Sequence, residues 1–194
     1  MTVLGIYGSP RKGGNSDMLL DALLAAAGAA GAQTERIYCR RLNISGCLEC
    51  GGCDETGCCV VEDDMQQVYP LFRAAQAIVL SAPVFFYGLP AQCKALVDRS
   101  QACWSARLLS KTTPEQRKHH DAGRGYLIAV GATKGPRMFD CMELTARYFF
   151  DALDMSYEPG LLIRGLEAKG AAADSPEVME QARQLGRRIA QAAA

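Results

Sequence analysis

The sequence lacks the features that point to a membrane, nucleic-acid-binding or exported protein. No apolar run approaches the roughly 18 residues that a membrane helix needs. The 21 lysines and arginines balance the 21 aspartates and glutamates, so the basic excess of most nucleic-acid-binding proteins is missing. The first residues contain no basic leader followed by a long apolar segment, so we expect no signal peptide and a cytoplasmic protein. We therefore expect neither a membrane nor a nucleic acid as a partner.

Residue sets typical of hydrolases and nucleotide-binding enzymes are also missing. The chain contains only 2 histidines, and it shows no Ser-His-Asp arrangement or catalytic carboxylate pair. The glycine-rich segment near its start has neither the G-x4-G-K-[ST] order of the nucleotide P-loop nor the G-x-G-x-x-G pattern. The chemistry of the protein therefore has to be sought in other residues.

Cysteine, in contrast, is abundant. The chain has 9 cysteines, an odd number that argues against a fully paired disulfide framework. Without an export signal, thiols in such numbers indicate metal or redox chemistry in a reducing compartment. Five of them fall in one short segment, at Cys47, Cys50, Cys53, Cys58 and Cys59.

This spacing supplies four thiolates in a single loop, whether the last one is Cys58 or Cys59. Four thiolates are what an iron–sulfur cluster needs, and two-residue gaps allow a turning backbone to present successive sulfurs to one centre. Zinc binding, or redox and structural thiols without a metal, are the alternative interpretations.

The remaining chain alternates between apolar strands and amphipathic helices. Strands are predicted at residues 3–7, 34–38, 77–81, 125–130 and 155–163. Asn15 or Ser16 is predicted to cap the first helix, and a second helix is predicted to begin at 63–64. Further helices are predicted over 90–104, 139–152 and 176–192. Residues 105–124 are polar, basic and poorly periodic, which predicts an irregular loop.

The alternation predicts an α/β fold with a five-stranded parallel sheet. No repeat or linker divides the chain, so we expect a single domain over residues 1–194 that carries the cysteine-rich loop at 47–59. In such sheets ligands bind at the carboxyl ends of the strands, near the point where the strand order reverses.

The first strand leads into a segment suited to hold a phosphate. Backbone amides at a helix N-terminus favour an anion, and glycines let the chain approach it closely. Hydroxyls and a cation from this segment would complete the site, whose sequence is Gly8-Ser9-Pro10-Arg11-Lys12-Gly13-Gly14-Asn15-Ser16. A glycine-rich turn with a good helix cap is the alternative.

Three motifs in this order resemble the NADPH-dependent FMN reductase family, and within it the iron–sulfur flavoprotein branch. They are the segment at 8–16, the cysteine segment at 47–59 with the following 60–65, and the Ser-Ala-Pro-Val-Phe-Phe-Tyr-Gly segment at 81–88 with its continuation to Arg99. The resemblance implies a flavodoxin-like, doubly wound sheet with strand order 2-1-3-4-5 and helices on both faces.

The resemblance also implies cofactors and the residues that hold them. The FMN phosphate would be bound by Ser9, Arg11, Asn15 and Ser16, with Lys12 as a nearby cation. The flavin ring and ribityl chain would lie against Pro83, Val84, Phe85, Phe86, Tyr87 and Gly88. A [4Fe–4S] cluster would take Cys47, Cys50, Cys53 and Cys59, which leaves Cys58 as an extra thiol. The loop at 131–133 has the place of a third flavin-binding loop without a distinctive sequence.

The implied function is electron transfer between the cluster and FMN in a flavin-dependent oxidoreductase. Such pairing couples a two-electron reaction to a one-electron partner such as a ferredoxin, with NAD(P)H as an alternative electron donor. Members of the family form homodimers or homotetramers. One rival hypothesis is a cluster-free NAD(P)H-dependent FMN or quinone reductase. The other is a thiol redox or zinc-binding module without a flavin.

Overall fold

The computed structural model describes residues 1–192 as five strands with helices between them. The strands are β1 (Thr2–Tyr7), β2 (Gln33–Tyr38), β3 (Ala77–Pro83), β4 (Gly123–Gly131) and β5 (Met155–Arg164). The α-helices are α1 (Asn15–Ala29), α2 (Met65–Ala74), α3 (Ala91–Asp98), α4 (Gln101–Ser110), α5 (Pro114–Arg117), α6 (Asp140–Ala152) and α7 (Pro176–Gln191). A short 3-10 turn, Cys39–Arg41, follows β2.

All five strands are parallel and lie in the order β2-β1-β3-β4-β5. This confirms the flavodoxin-like order expected from the resemblance. The strand order reverses at β1 and β3, where Tyr7 is in register with Ser81. The loops that follow these two strands therefore leave the sheet side by side, and the backbone amide of Gly8 donates to the carbonyl of Ser81 at 2.8 Å.

Helices cover both faces of the sheet because its strands are apolar on both sides. Along β3, Ile78 and Leu80 pack with α2, α3, α4 and α6, whereas Val79 packs with α1 and α7. Helix α7 approaches α1 so closely that a Cβ at Gly186 would lie 2.2 Å from the carbonyl oxygen of Leu23. Within residues 1–192, no helix is long and apolar enough to cross a membrane.

The helix predicted over 90–104 and the loop predicted over 105–124 are each confirmed only in part. The chain forms two helices, α3 and α4, with a break at Arg99 and Ser100, and α4 continues to Ser110. Helix α5 then lies inside the supposed loop, and β4 begins at Gly123.

The core-facing side of α4 becomes polar toward its C-terminal half, where Ser105 and Arg107 follow the apolar Ala102, and this weakens the helical periodicity of the sequence. Arg107 is buried there and pairs with Asp154 at 2.8 Å and with Asp151 at 3.3 Å. Lys111, just beyond the helix, also pairs with Asp154, at 2.7 Å. Buried cations in place of apolar residues remove the pattern by which an amphipathic helix is identified.

Candidate functional site

The segment predicted to hold a phosphate lies at the carboxyl edge of the sheet, between β1 and α1. The Ser9 hydroxyl is buried, accepts a hydrogen bond from the Arg11 amide and donates one to the Arg11 carbonyl, both at 3.1 Å. The side chains of Arg11 and Lys12 are exposed. The loop therefore has a fixed backbone and two cations free to move toward an anion.

The first turn of α1 has no side-chain cap, so the prediction that Asn15 or Ser16 caps the helix is wrong. The N-cap residue is Gly14, in an extended conformation and with no side chain to accept from the turn. The first amides of an α-helix have no partner within the helix. At α1 these amides are available to an anion, and the helix dipole favours one there.

The side chain of Asn15 is buried and makes four hydrogen bonds to backbone groups of the segment after β5. Its Nδ2 donates to the carbonyls of Ala168 at 2.9 Å and Leu166 at 3.3 Å, and its Oδ1 accepts from the amides of Gly170 and Ala172, both at 3.1 Å. This side chain ties the segment after β5 to the start of α1. Unlike the exposed side chains of Arg11 and Lys12, the Asn15 side chain therefore has a structural task, and it joins parts of the chain that are far apart in sequence.

A cation that the sequence reasoning missed lies beneath the loop. Arg40, in the turn after β2, pairs with Asp17 at 3.0 Å and donates to the carbonyl of Ser9 at 3.2 Å. Burial raises the pKa of Asp17, although the bond from the Gly13 amide and the charge of Arg40 oppose this shift. The sequence feature that could have indicated Arg40 is its position directly after β2, the strand that neighbours β1.

The second predicted flavin-binding segment, at 83–88, forms a tight turn beside the first. Phe85 and Gly88 exchange two backbone hydrogen bonds of 3.0 and 2.9 Å, and the amide of Val84 donates to Val130 in β4 at 2.9 Å. Phe86 and Tyr87 occupy the tip with positive φ angles of 48° and 64°, a conformation that costs non-glycine residues energy.

All three aromatic side chains of this turn are exposed, Phe86 completely. Aromatic faces in water at the mouth of a sheet offer a flat apolar surface for stacking. Together, an uncapped helix start, nearby cations and an exposed aromatic turn fit the phosphate and the ring of FMN.

The cysteine-rich loop lies between the turn after β2 and α2. Cys47, Cys50, Cys53 and Cys59 line one cavity of about 640 Å³. Cys58 does not line this cavity, and a neighbouring cavity of about 470 Å³ is lined by both Cys58 and Cys59. Of the two cysteines that the spacing left as alternatives, Cys59 lines the cavity that Cys47, Cys50 and Cys53 line, and the fourth ligand stays a prediction.

The thiols are not assembled into a ligand set. No group of three or more His, Cys, Asp or Glu side chains in residues 1–192 is arranged to hold a metal ion. All 9 cysteines are free, with Cys47, Cys50 and Cys58 exposed and Cys53 and Cys59 half-buried. The loop has the donors for a cluster, in one cavity, without the geometry of a closed site.

A buried arginine lies against this cavity. Arg99 is 1% exposed, and its guanidinium donates to Asp63 at 2.6 Å, to the Ser45 carbonyl at 3.1 Å and to the Val61 carbonyl at 3.3 Å. Burial alone would raise the pKa of the Asp63 carboxyl, but the Arg99 bond and two backbone amides lower it.

The Nε of Arg99 has no partner. It is the only buried side-chain nitrogen or oxygen within the described residues 1–192 that lacks one. An unsatisfied buried donor costs about 1–3 kcal/mol. Four thiols around one cavity are the donors that an iron–sulfur cluster requires.

Comparison with known proteins agrees with this geometry. The family description NADPH-dependent FMN reductase matches residues 1–157. A protein of Methanosarcina thermophila named iron-sulfur flavoprotein is 41% identical over 100 residues, which are 52% of this chain and 52% of the relative. A protein of Archaeoglobus fulgidus with the same name is 37% identical over 99 residues, 51% of this chain and 45% of the relative.

A solved structure described as the NAD(P)H:quinone oxidoreductase from Methanothermobacter marburgensis has the same fold. It superposes with a TM-score of 0.72 over 97% of this chain and 96% of that one, at 14% sequence identity. The chain belongs to the NADPH-dependent FMN reductase family. It spans about half the length of the curated relatives that it matches.

Proposed function

We propose that this protein is a flavin-dependent oxidoreductase that binds FMN and a [4Fe–4S] cluster and passes electrons between them. The observation that carries the proposal is the cavity lined by Cys47, Cys50, Cys53 and Cys59. The names of the relatives, iron-sulfur flavoprotein, support the same conclusion.

The FMN phosphate would be held by the first-turn amides of α1, the hydroxyls of Ser9 and Ser16, and the cations of Arg11 and Lys12. Asn15 would position these groups through its bonds to residues 166–172. The ring would lie against the turn formed by residues 83–88. A bound FMN supplies hydride and electron transfer, and the chain supplies orientation and electrostatics.

The cluster would be held by Cys47, Cys50, Cys53 and Cys59. Cys59 rather than Cys58 completes the set because it lines the same cavity as the other three. The exposure of Cys47 and Cys50 leaves their part of the loop free to close on iron. Metal binding by a loop that is not preassembled couples assembly of the site to its ordering.

The partners follow from the two cofactors. A ferredoxin-like protein would exchange single electrons, and a pyridine nucleotide would deliver two. We expect a homodimer or homotetramer in the cytoplasm, where the free thiols would stay reduced.

The second candidate is a cluster-free NAD(P)H-dependent FMN or quinone reductase. It is favoured by the absence of a preassembled metal-ligand group within residues 1–192 and by the family name.

One anaerobic experiment separates the two candidates. Wild-type and Cys59→Ser proteins, loaded with FMN, iron and sulfide, are mixed with a one-electron donor and then, separately, with NADPH. We expect the wild-type flavin to bleach with the one-electron donor and the Cys59→Ser flavin to bleach far more slowly. Equal bleaching by NADPH in both proteins, with no dependence on Cys59 for either donor, would favour the cluster-free reductase.

A further inference from the structure

An ion pair is buried against the segment at 8–16, where the flavin phosphate would bind. The carboxylate of Asp17, in the first turn of α1, pairs with Arg40 at 3.0 Å, and the two side chains are 4% and 12% exposed. A phosphate monoester carries a charge of about −1.5 to −2 near neutral pH. An acid buried beside the place proposed for such an anion therefore calls for an explanation.

Asp17 fixes the shape of the loop. Its carboxylate accepts a hydrogen bond of 3.0 Å from the amide of Gly13. Gly13 has a φ of 66°, in the left-handed region that glycine adopts without strain. The bond holds the loop in the conformation that leads into α1. The same carboxylate, if it were ionised and unpaired, would repel an incoming phosphate at close range.

Arg40 offsets the charge of Asp17 and holds the loop at a second point. A second nitrogen of its guanidinium donates to the other carboxylate oxygen at 3.3 Å and to the carbonyl of Ser9 at 3.2 Å. The guanidinium carbon lies 4.8 Å from the centroid of the Tyr38 ring. Burial raises the pKa of Asp17, whereas the Gly13 amide and Arg40 act against this rise. Arg40 thus favours the ionised carboxylate that the loop uses and cancels its charge.

The other cations of the loop are poorly placed for this task. The side chains of Arg11 and Lys12 are exposed, and solvent and salt screen the interactions of exposed charges. A buried pair is screened much less. The charge balance beneath the loop is therefore set by Asp17 and Arg40.

We propose that Arg40 makes this site selective for a phosphorylated flavin by neutralising Asp17. This inference rests on the proposed FMN site. Arg40 is a positioning residue, since its guanidinium contacts Asp17 and the Ser9 carbonyl rather than the flavin. Its loss would leave an unpaired carboxylate beside the phosphate. The affinity for FMN would then fall, while the affinity for riboflavin, which has no phosphate, would stay the same.

Flavin titrations of four proteins test this inference. Flavin-free wild-type, Arg40→Met, Arg41→Met and Asp17→Asn/Arg40→Met proteins are titrated with FMN and with riboflavin at pH 8, and binding is followed by flavin fluorescence. We expect Arg40→Met to bind FMN about tenfold more weakly or worse, the lower end of the effect of a neighbouring charge, and riboflavin with wild-type affinity. Asparagine keeps an oxygen that accepts from the Gly13 amide, so the double variant should recover most of the FMN affinity.

Arg41→Met is the matched control. Arg41 is exposed and lies over the same ring of Tyr38, with 4.6 Å between the guanidinium carbon and the ring centroid. Within residues 1–192, the arginine bonded to Asp17 and to Ser9 is Arg40. We expect Arg41→Met to bind FMN as the wild type does, and a loss as large as that of Arg40→Met would contradict the role of the buried pair.

The outcomes separate the charge of Arg40 from a merely structural role. If Arg40 only anchors the loop through the Ser9 carbonyl, the double variant will bind FMN as weakly as Arg40→Met, and this result would overturn the inference. An equal loss for both flavins in Arg40→Met, or wild-type affinity for FMN, would overturn it as well. Each of these results leaves the proposed FMN site standing, whereas a wild type that binds no FMN would refute the proposed function itself.

Discussion

Replacing Asn15 with alanine should destabilise the fold more than it weakens flavin binding. The side chain makes four hydrogen bonds to the segment at 166–172, three of them between 2.9 and 3.1 Å and one of 3.3 Å. Each is worth about 1 kcal/mol net, and the longest is worth less. The truncation also leaves two amides and two carbonyls without this partner. We therefore expect a loss of about 3 kcal/mol in the free energy of unfolding.

Urea unfolding followed by circular dichroism measures this loss, on protein with and without added FMN. The slope of the transition should stay the same while its midpoint falls, because the surface exposed on unfolding hardly changes. Ser16→Ala is the matched control. Ser16 lies in the same first turn, and its side chain makes none of the bonds to 166–172. We expect Ser16→Ala to keep its stability and to bind FMN about tenfold more weakly, the cost of one hydrogen bond to a charged phosphate.

The opposite pattern would refute this reasoning. If Asn15→Ala unfolds at the wild-type urea concentration and loses FMN affinity, Asn15 is a direct phosphate ligand, as the family resemblance implies. Its observed bonds would then belong to the flavin-free protein alone.

Three further substitutions test other parts of the structure. Asp154→Asn should cost about 3 kcal/mol at neutral pH, since it leaves the buried cation of Arg107 and that of Lys111 without their shared carboxylate. Burial raises the pKa of Asp154, but the hydrogen bonds and charges of the two cations lower it overall. The stability that the wild type gains from this carboxylate is therefore fully present above the pKa of an aspartate in the unfolded chain, about 3.9. The difference in the free energy of unfolding between wild type and Asp154→Asn should shrink as the pH falls through the pKa that Asp154 has in the folded protein. Urea unfolding at a series of pH values that shows a constant difference would disprove this. Phe86→Gly should raise the free energy of unfolding by about 1 kcal/mol, because it removes the cost of a positive φ at a non-glycine residue. It should also lower the affinity for FMN in a fluorescence titration, and an unchanged affinity would show that Phe86 does not contact the flavin. Gly186→Ala should lower the free energy of unfolding by about 2 kcal/mol because its Cβ would meet the backbone of α1, and a wild-type thermal melt would contradict that packing.

The sequence predicted those features that depend on neighbours along the chain. Strand periodicity located all five strands, and the family motifs gave the strand order. The glycine-rich segment was placed correctly after β1, as was the aromatic segment after β3. The cysteine spacing predicted a common site for four thiols, which stays a prediction, because Cys47, Cys50, Cys53 and Cys59 line one cavity without forming a metal-ligand group within residues 1–192.

The features that were missed depend on contacts between distant parts of the chain. Asn15 meets residues more than 150 positions away, so nothing near it in sequence distinguishes a structural side chain from a phosphate ligand. Arg99 lies within the helix predicted over 90–104, and its burial depends on the loop whose Ser45 and Val61 carbonyls accept from its guanidinium. The buried Arg107 made α4 look like a solvated loop. In each case a polar residue is buried by pairing, which periodicity does not reveal.

The central claim is that this chain carries both a flavin and an iron–sulfur cluster, and the metal and flavin content of anaerobically purified protein tests it most directly. Iron, acid-labile sulfide, zinc and FMN are measured per chain in wild-type, Cys58→Ser and Cys59→Ser proteins. We predict about four irons and four sulfides per FMN in the wild type and in Cys58→Ser, with both lost in Cys59→Ser. FMN without iron or sulfide in the wild type would contradict the cluster, and zinc without FMN would contradict the whole account.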